Sequence, residues 1–128
     1  MRASESLSVA AQAADMDAPQ PIDFQHLRRY TLGDRGLELE ILGLFVEQLP
    51  ITIGALEDAT TDKAWGMAAH TLKGSARAVG AWPLAALAEE AERLSSTAEM
   101  GLRGAILRRI EAAAGEVRAH IAALTIEN

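Results

Sequence analysis

Cysteine is absent from these 128 residues. Disulfides and thiolate metal sites are therefore excluded, and no covalent staple holds the fold. Aromatics are scarce, at two Phe, two Trp and one Tyr. Runs of Val, Ile, Thr and Tyr in period-two alternation are missing as well, so nothing in the pattern supports a β-sandwich or barrel. An excess of basic residues is missing too. Twelve Lys and Arg stand against 18 Asp and Glu, giving a net charge of −6, which argues against nucleic acid as the main partner. No apolar run approaches the ~20 residues that a membrane span needs, so no membrane partner is expected. The stretch Leu7-Ser8-Val9-Ala10-Ala11-Gln12-Ala13 superficially resembles a signal peptide. It is short, and Glu5 and Asp15 interrupt its surroundings, so the expected location is cytoplasmic. The three histidines, at 26, 70 and 120, lie too far apart for metal-ligand spacing. No Gly-rich phosphate loop or kinase-like nucleotide motif occurs. The expectation is a protein with no metal, no cofactor and no ATP site of its own.

What is present is alanine, leucine and helical periodicity. Hydrophobic residues make up 49% of the chain, enough for one core in one domain. Residues 1–21 are rich in Ala, Ser and small polar residues and end in Pro19-Gln20-Pro21. They read as a mobile N-terminal tail, with transient helix near Leu7 to Ala14. The folded domain is expected over 22–128. Asp23 can cap a short helix from Phe24 to Thr31, with Phe24, Leu27 and Tyr30 facing inward. Gly33-Asp34 separates it from a long segment, Asp34 to Ala59. There Leu37, Ile41, Leu44, Phe45, Gln48 and Leu49 form a broad inward stripe. Pro50 predicts a kink or a break into two helices. Thr60 or Thr61 caps the next helix, which stops at Gly80. Pro83 suits the first turn of a further helix, marked by Leu84, Leu87, Ala88, Ala91 and Leu94 and ending near Ser95-Ser96-Thr97. A last helix from Glu99 to Leu124 carries the stripe Leu102, Ile106, Ile110, Ala113, Val117, Ile121 and Leu124. The expected fold class is all-α: an antiparallel up-down four-helix bundle with a short N-terminal capping helix.

The most informative segment is His70-Thr71-Leu72-Lys73-Gly74-Ser75-Ala76. At about 100° per residue, positions 70, 73, 74 and 77 form one stripe of His, Lys, Gly and Arg. The opposite side reads Trp65, Ala68, Ala69, Leu72, Ala76 and Val79, an apolar run at helical spacing. His70 therefore points away from the core. A neutral imidazole is a competent nucleophile near pH 7. Lys73, one turn on, can balance the charge of a phosphoryl group and disfavours imidazolium. Gly74 costs about 1 kcal/mol relative to alanine inside a helix, and close approach by a partner is one reason to keep it. Arg77 extends the positive strip. Phosphoryl transfer depends mainly on positioning and charge stabilisation, and this face offers both.

The string His70-x-Leu72-Lys73-Gly74-Ser75-Ala76, followed by Gly80-Ala81, Leu84, Leu87 and Glu92, resembles the histidine-containing phosphotransfer (HPt) domain. The lead-in agrees: an Asp-Phe start, a Gly-Asp turn, a helix with Phe45 and Pro50, and Ala69 before the histidine. The resemblance covers about Ile22 to Ala123. It implies that His70 carries a phosphoryl group on Nε2. The group would come from an aspartate of one response-regulator receiver domain and pass to another, with a hybrid histidine kinase upstream. It implies that Lys73 stabilises the phosphoryl group and that Gly74 leaves room for the receiver. Mg²⁺ would belong to the receiver, and the chain would be a phosphocarrier rather than an enzyme. In one departure, Ala88 stands where a common family pattern has cysteine, which reads as a packing substitution.

Blander readings stand beside these. Lys73 and Arg77 could be a solvated face, and Gly74 could serve helix packing. Ser75 and Met67 are candidate docking residues, Met67 as part of an adaptable apolar rim. Glu89 and Glu92 are candidates to orient the Nδ1 side of His70, and the sequence does not choose between them. Trp65 is expected in the core, and Trp82 is either a buried plug or part of a partner surface. His26 and His120 read as ordinary structural or surface residues. A monomer is expected, since a four-helix bundle can complete its own core. The rival function is a helical adaptor that binds receiver or kinase domains without carrying phosphate. A second rival is a kinase input module phosphorylated at the same histidine by an ATP-dependent domain.

Overall fold

A computed structural model describes residues 20–94 and 100–127, with side-chain environments as far as residue 124. The expected tail up to residue 19, the helix end at Ser95–Thr97 and the helix start at Glu99 lie outside the described residues. Five helices and no strand occur among the described residues: α1 Phe24–Thr31, α2 Arg35–Glu57, α3 Asp62–Val79, α4 Trp82–Arg93 and α5 Met100–Glu127.

The helix boundaries follow from local chemistry. The Asp23 carboxylate accepts the His26 N–H at the start of α1, the Asp34 carboxylate accepts that of Leu37 at α2, and Thr61 Oγ1 accepts that of Ala64 at α3. Each satisfies a backbone donor that has no partner inside its helix. Of the two threonines proposed for α3, Thr61 is the cap. Gly80 ends α3 in the left-handed region, φ 78°, with its N–H on the carbonyls of Ala76 and Arg77. Leu32 ends α1 in the same region, φ 54°, a conformation that costs a β-carbon-bearing residue about 1–2 kcal/mol. Pro50 does not split α2, and the helix runs through it. Its ring is exposed, while Leu49 and Ile53 on the adjoining turn are buried. Their packing holds the two halves in one helix despite the roughly 3 kcal/mol that an interior proline costs.

α2 packs on α3, α3 on α4, α4 on α5, and α5 returns to α2, while α1 packs on α2 and α3. The core runs down the centre of this ring through Leu42, Leu49, Leu56, Leu72, Leu84 and Ile110. Several expected orientations change. Tyr30, Leu37, Leu44 and Gln48 face outward. Of the expected stripe Phe45 and Leu49 are buried, and Leu42, Ile53 and Leu56 complete the buried face of α2 with Glu38 and Thr52. On α5, Leu102 is exposed and Ala113 half-buried, and Arg103 and Ala114 take the inward places. The absence of a membrane-length apolar segment is also corrected. α2 is long and apolar enough to cross a membrane by length and composition, because it carries one apolar face toward the core and a second toward solvent.

Two buried charges depend on long-range partners. Glu38 accepts a hydrogen bond from Thr31 Oγ1 at 2.9 Å, with Arg28 Nε 3.6 Å away. Arg103 donates from Nε to the carbonyl of Leu94 at 2.6 Å and from Nη2 to Asp62 at 3.0 Å, and it lies over the Trp65 ring. It ties the start of α3 to the end of α4 and the start of α5. Buried charges persist only with such partners.

Candidate functional site

The exposed ridge of α3 is set by its own register. Trp65, Ala68, Ala69, Leu72, Ala76 and Val79 are buried, so His70, one position past Ala69, is turned outward. Its side chain is 70% exposed. Trp65 anchors the helix from the other side by donating its indole N–H to the carbonyl of Ala91 on α4 at 2.7 Å.

α4 supplies the acids that face this ridge. Glu92 bridges two groups on α3: Oε2 lies 3.0 Å from His70 Nδ1, and Oε1 lies 2.6 Å from Lys73 Nζ. The hydrogen bond from Lys73, aided by that from His70, holds the Glu92 carboxyl below the usual carboxylate range. An ionised carboxylate only accepts hydrogen bonds, so Nδ1 must be the protonated nitrogen of a neutral His70. The lone pair is then on Nε2. The two sequence candidates for orienting His70 thus separate. Glu92 contacts the imidazole, whereas Glu89 lies 3.7 Å from Arg77. The positive strip is not bare, because Lys73 and Arg77 each face an acid of α4. Lys73 is also the less exposed of the pair with His70, at 16% of its side chain.

Gly74 has open space where a side chain would be: a β-carbon there meets nothing within 4 Å. Gly66, one turn before His70, is open in the same way. Among the described residues neither β-carbon position is taken by a neighbouring helix, so no close helix contact there requires glycine at 74. Ser75 Oγ donates to the Thr71 carbonyl and Thr71 Oγ1 to that of Met67. Met67 is 61% exposed. It lines a shallow groove with Lys63, Gly66, His70, Thr71 and Glu92. Two further grooves run between α2 and α3, and Thr71 lines all three. Among the described residues no group of His, Asp and Glu is placed to hold a metal ion.

The Hpt domain family matches residues 40–124, about two thirds of the chain, from the second turn of α2 almost to the end of α5. The chain belongs to the Hpt domain family. Hpt domains are helical phosphocarriers of phosphorelays, working with receiver domains and kinases rather than as enzymes in the usual sense, and histidine phosphotransfer is the role of this one. The chain matches no curated protein and no solved structure. Within the Hpt match His70 is the most exposed member of the His-Lys-Glu cluster. Sequence reasoning did not find the pairing of Lys73 with Glu92. The signal was available only as a glutamate on a following helix, 19 residues away, with no local pattern to choose it.

Proposed function

We propose that this chain relays a phosphoryl group between receiver-domain aspartates through His70. The observation that carries the reading is the Glu92 bridge. It fixes the proton on Nδ1 and leaves Nε2 free on an exposed ridge. In the forward step the Nε2 lone pair attacks phosphorus of an aspartyl phosphate. The Nε2–P bond forms, the P–O bond to the aspartate breaks, and the aspartate leaves as a carboxylate. No proton need leave Nε2, and Nδ1–H stays on Glu92. Lys73 exchanges its bond to Glu92 for the incoming phosphoryl oxygens, a charge-assisted contact at the point where charge arrives. Transfer to the second receiver reverses each bond change.

The receiver docks across Gly74, Met67, Ser75 and Arg77 and brings its own Mg²⁺. A hybrid histidine kinase stands upstream. The bundle is antiparallel and up-down, α1 covers one end, residues 1–21 act as a tail and 22–128 as the domain. The protein works as a monomer in the cytoplasm, without nucleic acid or membrane. Contacts are weak, because each receiver must be released.

The test is transfer from a phosphorylated receiver domain to the purified protein. Label that survives base, is lost in acid and is absent from a folded His70→Gln variant is the expected outcome. Label that persists in His70→Gln, or no label from any of several receivers on folded protein, sinks the reading.

A further inference from the structure

Glu92 can hold the Nδ1 edge of His70 only while the end of α4 stays in place. The contact is 3.0 Å long. A hydrogen bond weakens beyond about 3.2 Å, so a retreat of α4 by about 1 Å would break it. Glu92 is also the second-last residue of α4. It lies in the turn whose carbonyls have no partner inside the helix, the part of a helix that frays first. Side chains from two other helices hold that turn. Trp65 of α3 donates its indole N–H to the Ala91 carbonyl at 2.7 Å, and Arg103 of α5 donates from Nε to the Leu94 carbonyl at 2.6 Å. The two acceptors flank Glu92, one just before it and one just after the helix ends.

Both donors are themselves fixed. Trp65, Arg103 and Ala91 are buried. A buried indole N–H or guanidinium that loses its acceptor is costly, so these contacts resist sliding. The Arg103 guanidinium lies 4.9 Å from the centre of the Trp65 ring and reaches on to Asp62 at 3.0 Å. Asp62 opens α3. The start of α3, the end of α4 and the first turn of α5 therefore close on one another through this pair. Trp65 and His70 share α3, about 7.5 Å apart along its axis at 1.5 Å per residue. The register of α3 against the end of α4 is thus set twice. Trp65 sets it in the core through Ala91, and Glu92 sets it at the surface through His70 and Lys73.

We infer that Trp65 and Arg103 are positioning residues for phosphotransfer: they clamp the last turn of α4 so that Glu92 meets the Nδ1 edge of His70 and the lone pair stays on Nε2. When Glu92 withdraws, the ring proton is free to pass through water from Nδ1 to Nε2. There it occupies the lone pair that must attack phosphorus. Trp65 and Arg103 act only through the backbone of α4 and the side chain of Glu92. The inference rests on the proposed relay for the importance of a free Nε2. It extends the machinery from the His-Lys-Glu cluster into the core.

The variants are Trp65→Phe, which keeps a ring and removes the N–H, and Arg103→Lys, which keeps the charge and loses the planar fork. Two readouts follow His70 itself. Long-range ¹H–¹⁵N spectra of its ring, at about pH 8.5 on the alkaline side of the ordinary imidazole range, give the position of the proton. Labelling by phosphoramidate, which hands its phosphoryl group to Nε2 with release of ammonia and needs no docking, gives the reactivity of the lone pair. Both variants are expected to shift population from the Nδ1–H to the Nε2–H form. Both should slow labelling about fivefold, within the range of coupled side chains in double-mutant cycles. Glu92→Ala should do the same. Adding Trp65→Phe or Arg103→Lys to Glu92→Ala should slow labelling no further, because the route through Glu92 is already cut. Folded Gly80→Ala, altered at the other end of α3, should keep the wild-type tautomer and rate. A wild-type tautomer in either clamp variant overturns the inference for that residue. An equal loss when the clamp variant is placed on Glu92→Ala, or a Gly80→Ala protein that behaves like Trp65→Phe, overturns it altogether, since either marks a general loss of structure. If Trp65→Phe does not fold, Arg103→Lys and its double variant decide. If wild-type His70 accepts no phosphoryl group from phosphoramidate or any receiver, the phosphorelay reading fails, while the ring tautomer still decides the clamp.

Discussion

Gly74 and Gly80 stand six residues apart at the middle and the end of α3, and they are glycine for opposite reasons. Gly80 has φ 78°, and a β-carbon there would stand 2.8 Å from the carbonyl oxygen of Asp23. The Asp23 N–H in turn donates to the Gly80 carbonyl at 2.9 Å. The chain's own packing demands that glycine. Gly74 is in regular helix, and among the described residues a β-carbon added there would meet no neighbouring group within 4 Å. It gives up about 1 kcal/mol of helix propensity with no internal return. The end of α3 is therefore explained by the fold, whereas no contact among the described residues accounts for Gly74, which the proposed docking of a receiver would.

Substitution can break that contrast, and the largest effect is expected at the end. Gly80→Ala should lower stability by about 2–3 kcal/mol, combining the left-handed backbone with the clash against Asp23. Denaturant melts measure it. Transfer per folded molecule should stay close to wild type, because His70 lies nearly three turns away. A neutral Gly80→Ala would mean that the Asp23 contact yields easily and that the two glycines are not opposites. Gly74→Leu should do the reverse. Stability should rise by up to about 1 kcal/mol, since leucine is a good helix former. Transfer from a receiver should fall about tenfold, equivalent to about 1.4 kcal/mol of lost docking or alignment. Phosphoramidate labelling of His70 should not change. Equal transfer rates for Gly74→Leu and wild type would remove the case for a partner at that position.

The same division describes what was legible in the sequence. Local signals read well: Asp23 as a cap, Thr61 as one of two candidate caps, Gly33-Asp34 as a break, Gly80 as a stop, Pro83 in a first turn, and the outward stripe that carries His70. Each depends on neighbours within four residues, which periodicity and propensity sample directly. Glu38 and Arg103 read poorly, because a charged side chain is buried only when its partner arrives, and Asp62 lies 41 residues from Arg103. α2 misled for a different reason. Its two apolar faces overlap in any window, so Leu37 and Leu44 looked like core beside Phe45 and Leu49, when Leu42 and Ile53 took the inward places. Around His70, the residue types were legible and their pairing was not, since choosing Glu92 over Glu89 requires the facing register of α3 and α4.

Two carboxylates extend the contrast between middle and end, and they give the smallest predicted effects. Asp23, beside Gly80, is held below the usual carboxylate range chiefly by the indole N–H of Trp82, which donates to it at 2.9 Å. Glu92, beside the His70 ridge, is held down chiefly by Lys73. Both values are lower in the folded chain than in the unfolded one. The stability each contributes is therefore complete above the ordinary carboxylate range, and it is lost as pH falls through the depressed value. Trp82→Phe and Lys73→Met should each flatten the acid arm of the stability curve by about 1 kcal/mol or less. Salt should tell them apart. At about 0.5 M salt the screening length falls to roughly 4 Å, and the Lys73–Glu92 pair is partly open to solvent. The flattening caused by Lys73→Met should then largely vanish, because wild type has already lost that contribution. The flattening caused by Trp82→Phe should persist, because a neutral indole donor is not screened in the same way. Acid titrations of the melting temperature, at low and high salt, measure both. Matching salt dependence in the two variants would mean that the middle of α3 holds its charge as rigidly as the end, leaving Lys73 no freedom to exchange Glu92 for a phosphoryl group.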